Sequence, residues 1–384
     1  MSVLVSDGPA GAWAWAGIRL EPEPAMAANG AHVGLPESQR RAEATALEQV
    51  WLSRQWQPDG RAFELRYVTA PGGGVRCVLL CRMHGPDGAS ASAAALALRE
   101  AVADTPRHVR SEPIADEDEL RAALVPLATP RPCLAEVRKR MAWAWLERRD
   151  ADFRLGVVCA PLRGETVSWE PVWDALARAG EGTVAGVCLE PYAPSPALLS
   201  YLRYLAQEYD RLARPGRPNP VFVQDVPPDP FAVRAAPLYQ QALDACAGPG
   251  YRLRVSVAGA GSVVGGLAQQ IAATLSPATA TGGGAVAAAV PAHEWAAAWT
   301  NLTGLQRAWL DTTYGQDLPL PPGEPEQVLA DLVDVPQAAA AFRFPYEIPG
   351  RPPLFATAAR GAGTAGPRAA GGAPAGRDPY APDF

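Results

Sequence analysis

Of the 34 basic residues in this chain of 384, one is lysine and the rest are arginine. That lysine, Lys139, sits in Val137-Arg138-Lys139-Arg140 with no glycine beside it. A phosphate-binding loop needs glycines followed by lysine and then serine or threonine, because backbone N–H groups cradle the phosphates while the lysine reaches the terminal ones. A Walker-type ATP site is therefore excluded. Long apolar runs are also missing: the most apolar region is broken by Gln269-Gln270, Pro291, His293 and Glu294, so no membrane span is expected. Acidic residues outnumber basic ones by 40 to 34, giving a net charge of −6, and no broad positive field exists to gather nucleic-acid phosphates. Met1 to Asp7 has no basic start and no long apolar run after it, so no signal peptide is expected. Six scattered cysteines fit a reducing compartment better than a disulfide framework, and the expected location is cytoplasmic.

What is present is a chain with 48% apolar residues, enough for a sizeable core and two domains. Residues 37–53 place Ala42, Ala46, Leu47, Val50 and Trp51 at helical spacing. Phe63, Leu65 and Tyr67 alternate with Glu64 and Arg66, and a glycine-rich turn leads to Val75, Cys77, Leu79 and Cys81, which reads as a hairpin. An alanine-rich helix is expected over 90–104, and Asp116 with Glu119 resembles a capping box opening a short helix. Residues 133–149 read as a helix, with Leu134, Val137, Met141 and Trp145 on one stripe. Two strand–helix–strand runs follow, 154–192 and 251–290, with a helix over 196–213 and a further helix at 237–246. The expected fold class is α+β: two βαβ-like units forming mixed sheets covered by alanine-rich helices, plus an N-terminal subdomain containing the hairpin. The expected division is an N-terminal domain over 1–130, a duplicated domain over 131–350, and a Gly/Ala/Pro-rich disordered tail over 351–384.

The loudest motif is Val255 to Gly266, where a strand runs into Gly259, Gly261 and Gly265 and then a helix, as a dinucleotide site requires. The spacing is one residue longer than the strict fingerprint, and no Asp or Glu lies between Tyr251 and Glu294 to hold a ribose hydroxyl. A packing turn is the competing reading, and no cofactor is expected. Cys77 and Cys81 lie about 13 Å apart on a strand, too far to share zinc. The four histidines form no ligand pair, so no metal is expected, and no serine sits in Gly-x-Ser-x-Gly, so no catalytic residue is named. Asp116 to Glu119 fits a helix start better than a cation site. The basic cluster Arg138, Lys139, Arg140, Arg148 and Arg149, interleaved with Trp143 and Trp145, is a candidate for touching a phosphate backbone or an acidic partner, against the plain reading of arginines on a solvated helix face.

The hairpin, the alanine-rich helix, the two βαβ-like runs and then Val328 to Asp334 leading to Ala338 to Ala341 and Phe342-Arg343-Phe344-Pro345 resemble, in that order, the region before the motor core of HerA-like and conjugation-type ATPases of the FtsK–HerA superfamily. There a similar Phe-Arg-apolar-Pro segment commonly precedes the ATPase domain. Here the chain runs instead into Gly361 to Gly376 without any lysine, so ATP hydrolysis does not carry over. The resemblance implies a non-enzymatic adaptor or scaffold working with a separately encoded P-loop ATPase, with Tyr380 and Phe384 as isolated aromatic anchors for a protein partner. An oligomeric state is left open. The alternatives are a nucleotide-cofactor enzyme built on Gly259 to Gly266 and a structural subunit of a large assembly.

Overall fold

The computed structural model describes residues 2–23, 35–70, 73–127, 131–180, 182–216, 226–277, 284–315, 318–347 and 353–356. Strands β1 (Leu4–Gly8) and β2 (Gly11–Pro22) lead into helix α1 (Glu37–Gln55) and the hairpin of β3 (Ala62–Thr69) and β4 (Val75–Gly85). Helix α2 (Gly88–Val102), strand β5 (Val109–Pro113) and helix α3 (Glu117–Leu124) follow. Next come β6 (Cys133–Lys139), β7 (Met141–Trp145), β8 (Leu155–Cys159), α4 (Glu170–Arg178), β9 (Val184–Tyr192), α5 (Pro196–Leu212) and α6 (Pro230–Cys246). The last stretch contains β10 (Gly250–Gly259), α7 (Gly261–Leu275), β11 (Ala285–Ala289), α8 (Trp295–Thr303), α9 (Asp311–Gly315), α10 (Glu324–Asp331), β12 (Leu332–Asp334) and α11 (Val335–Ala341).

The class is α+β. Ten strands form one sheet in the order β1-β2-β4-β3-β9-β10-β6-β11, with β5 on β2 and β12 on β10, while β7 and β8 make a separate ribbon. The ladders among the described residues are antiparallel, and a lone parallel bridge joins Val75 to Phe355. The sheet is continuous across residue 130, because β3 pairs with β9. In the 251–290 run, β10 and β11 both pair antiparallel with β6, so they run parallel with β6 between them and α7 crosses over. In the 154–192 run, β8 lies in the ribbon and β9 in the large sheet.

Local rules explain much of this. Gly73 and Gly74 sit at φ +100° and +85°, the left-handed region that glycine enters without steric cost, and they turn β3 into β4. Asp116 Oδ1 accepts the Glu119 N–H at 2.7 Å, the expected cap of α3. Helix α6 starts seven residues before the expected Pro237, because Asp229 caps it by accepting from the N–H groups of Phe231 and Ala232. Pro237 lies inside this helix at an exposed position.

The stretch 133–149 is not a helix. It is β6 followed by β7, because its apolar positions fit period two as well as 3.6. Leu134, Glu136 and Arg138 take one face of β6 and Ala135, Val137 and Lys139 the other, and β6 lies between β10 and β11 with both faces covered. Of the basic residues assigned to a solvated helix face, Arg138, Lys139 and Arg148 are inside, whereas Arg140 and Arg149 are exposed.

The sheet is two-faced. On one face Phe63, Leu65, Tyr67, Val187, Tyr251, Val255 and Val137 pack with Trp51 of α1, Trp173 of α4, Ile271 of α7 and the α11 alanines. Phe342 and Phe344 close this cluster against Trp51, and each such buried ring is worth about 1.5–3 kcal/mol over exposure. Arg343 between them is fully buried and pairs with Glu48 at 2.8 Å. The opposite face carries Arg82, Glu64, Arg66, Glu190, Arg252, Arg254, Ser256, Glu136 and Arg138, roofed by α8 and the chain leading to α10. A third layer packs α5, α6 and α10 on the β7–β8 ribbon.

Candidate functional site

The charged face leads to a cavity that the strand registers create. One edge of β10 pairs with β12 through Gly250 to Arg252 and with β6 through Val255 to Gly259, leaving Leu253 and Arg254 between the two. At this gap lies a cavity of about 330 Å3, within the usual size of small-molecule sites. Its walls include Glu136 and Arg138 of β6, Arg252 and Arg254 of β10, Arg307, Trp309, Tyr314 and Asp331. Lys139 spans the end of the gap, its Nζ donating to the Leu332 carbonyl.

The guanidiniums here are not equivalent. Arg252 forks onto Asp331, with Nη2 at 2.8 Å from Oδ2, and Arg307 reaches the same carboxylate at 3.3 Å. Arg254 donates to Glu64 Oε2 at 2.7 Å and to Ser256 Oγ at 2.6 Å. Ser256 Oγ in turn donates to Glu136 Oε1 at 2.6 Å. Burial raises the Glu136 carboxyl above its ordinary range, against the opposing pull of Arg254 and the Ser256 hydroxyl. Glu64 also pairs with Arg66, whose other donors go to the carbonyls of Ala123, Leu124 and Leu302. Gly186 makes this possible, since a Cβ there would stand 2.4 Å from Glu64 Oε1. Arg138 differs from all of these: its guanidinium lies 3.1 Å from the Tyr314 ring centroid and 4.9 Å from that of Trp309, and no carboxylate bonds it among the described residues.

The glycine motif lies elsewhere. Gly259 faces Thr183 and the Gly182 carbonyl, where a Cβ would come within 3.1 Å of the latter, and a Cβ on Gly261 would meet Cys133 Sγ at 3.0 Å. Both need a small residue for close packing. Gly265 and Gly266 have open space above them instead, and Gly261 and Gly265 border an open groove of about 580 Å3 with Ala268, Ala287 and Val290. Among the described residues the α7 N-terminus has no side-chain cap and no carboxylate lines the groove.

The basic cluster is divided. Arg138 and Lys139 are buried in β6, and Arg148 is buried in a pair with Asp150 at 2.7 Å. Arg140 and Arg149 are exposed near the ribbon, together with Trp143 at 38% and Trp145 at 57% exposure. Tyr380 and Phe384 lie outside the described residues. Among the described residues no group of three His, Cys, Asp or Glu could hold a metal ion, and no helix is long and apolar enough to cross a membrane. Cys77 and Cys81 are buried on β4, and burial pushes the Cys81 thiol up to about 12, far from nucleophilic use.

No family model matches the chain, and no curated protein matches it. Sequence reasoning picked out Arg138 but missed Arg252, Arg254, Arg307 and Asp331 around it. The available signal was the alternation Arg252-Leu253-Arg254-Val255-Ser256 in a strand, where a polar face is ordinarily read as solvated.

Proposed function

We propose that this chain is a non-enzymatic adaptor or scaffold that works with a separately encoded P-loop ATPase, adding an extended segment of that ATPase to the open edge of β7. The observation that carries this reading is β7 itself. It pairs with β8 alone among the described residues, no described strand bonds its outer edge, and it presents Ala142, Trp143 and Trp145 outward with Arg140 and Arg149 near its ends. An unpaired strand edge offers backbone donors and acceptors to a partner strand, and exposed tryptophans are the usual anchors of such contacts. Two further features support the division of labour. The only lysine is committed inside the protein, and the Phe342 to Pro345 segment of the resemblance closes the core of this fold.

The test is affinity purification from the native host with quantitative mass spectrometry, using the wild type and the Trp143→Ser/Trp145→Ser variant, both changes being at exposed positions. Enrichment of a P-loop ATPase by the wild type, reduced at least about tenfold in the variant, is expected. Recovery of no P-loop ATPase, or equal recovery by both proteins, overturns the reading. A cofactor enzyme is favoured by the open groove beside Gly261 and Gly265, and calorimetry with NAD, NADP and ATP separates the two: micromolar binding abolished by Gly265→Leu would favour the enzyme.

A further inference from the structure

The cavity at the gap between β6 and β12 has a one-sided hydrogen-bond inventory. Arg138 Nη1, Arg254 Nε, Arg307 Nε and Trp309 Nε1 are buried N–H donors without an acceptor, and all four residues line this cavity. Among the fully buried side-chain atoms of the described lining residues, no acceptor is left without a donor. Buried polar groups in folded proteins are almost always paired, so four unanswered donors gathered around one cavity point to a source of acceptors there. The charge inventory points the same way. Asp331 answers both Arg252 and Arg307, Glu64 answers Arg254 from behind the wall, Glu136 Oε1 is held by the Ser256 hydroxyl, and the exposed Glu324 lines the cavity without an ion pair among the described residues. Arg138, 8% exposed, remains without a carboxylate.

The orientation of Arg138 suits it to a ligand. A guanidinium whose face is covered by an aromatic ring keeps its in-plane N–H edge free, and that edge matches the two oxygens of a carboxylate or phosphate. Here the Tyr314 ring takes the face. We propose that this cavity binds a small ligand through an oxyanion group, a phosphate or a carboxylate, with Arg138 as the principal donor and Trp309 Nε1 and the Arg307 edge completing the set. The site shares no residue with the exposed β7 edge, so it stands or falls independently of the ATPase partnership.

Calorimetry on the full chain with phenyl phosphate and with benzoate, at constant ionic strength held with chloride, tests this. Saturable binding of one of the two is expected, and which one binds identifies the oxyanion. Arg138→Gln should weaken it at least about tenfold, as loss of a charge-assisted bond does. Trp309→Phe, which keeps an aromatic ring beside Arg138 while removing the N–H together with the pyrrole part of the indole, should weaken it by about two- to tenfold and decides the matter if the first variant does not fold. Absence of binding by either probe up to roughly ten millimolar overturns the proposal. So does an unchanged affinity in a folded Arg138→Gln or Trp309→Phe protein, which would place the anion on the outer surface.

Discussion

Replacing Glu64 by Gln perturbs the charged face at its centre while keeping the side chain's shape. Glu64 is wholly buried; its Oε1 accepts from Arg66 Nε at 2.8 Å and its Oε2 from Arg254 Nη2 at 2.7 Å. The amide retains one acceptor oxygen and turns an NH2 group toward the other guanidinium, so two buried cations are left sharing a neutral partner. Removing one member of a buried ionic set costs about 3–5 kcal/mol, because the remaining charge stays desolvated without compensation. With an unfolding entropy of roughly 2.1 cal/mol/K per residue, 384 residues give about 0.8 kcal/mol/K, so the melting temperature should fall by about 4–6 °C. Urea unfolding followed by tryptophan fluorescence measures the loss directly. The double variant Glu64→Gln/Arg254→Met removes the second cation as well and should recover part of the cost, with a coupling of about 1–3 kcal/mol. A single-variant loss below about 1 kcal/mol, or a double variant that costs the sum of its parts, would refute the picture of Glu64 as the shared counter-charge.

Glu136 supplies a prediction with a pH signature. Its folded carboxyl is held above the ordinary 4.5 by burial, whereas the unfolded chain releases that proton near 4.5, so the folded state binds more protons in between. Its contribution to stability therefore falls as pH rises from 4.5 through the raised value, and Glu136→Gln should gain on the wild type over that interval. Chemical unfolding at a series of pH values reads this, and a pH-independent difference contradicts it. The lone lysine gives a chemical test of the fold: an amine-reactive acylating reagent should leave the Lys139 peptide unmodified in native protein and label it after unfolding, as peptide mass spectrometry detects. Rapid labelling of Lys139 in folded protein would contradict its burial against the Leu332 carbonyl.

The parts of the fold legible in sequence are those set by short-range rules. The β3–β4 hairpin, α1, α2, the Asp116 cap and α5 follow from local periodicity, turn glycines and a capping carboxylate within a few residues. The charged face obeys no such rule. Glu64 and Arg66 alternate with Phe63, Leu65 and Tyr67 just as a half-solvated strand would, and what encloses them comes from far along the chain: Arg66 bonds the carbonyl of Leu302, 236 residues away. The same cause hid the cavity. Arg138 was visible as part of a basic cluster, but a helical reading of 133–149 sent it outward, and its neighbours Arg252 and Asp331 lie more than a hundred residues on.

The scarcity of lysine takes on a physical meaning once the second face of the sheet is considered. There Arg66, Arg82, Arg138, Arg252 and Arg254 are all buried, a position that charged side chains rarely take without multiple partners. A guanidinium is more weakly hydrated than an ammonium and presents five donors in a fixed plane, so it can satisfy a carboxylate, a carbonyl and an aromatic face at once. Arg66 does this with Glu64 and the carbonyls of Ala123, Leu124 and Leu302, and Arg254 spans Glu64 and Ser256. An ammonium at either place would lack the in-plane fork and would lose more hydration on burial. The arginine-for-lysine bias that excludes a phosphate-binding loop is therefore also what allows a sheet of this width to carry charge on a face that a second layer covers. Where that layer diverges from the sheet, at the gap between β6 and β12, the buried Arg138 is left without a carboxylate among the described residues and with Nη1 unanswered.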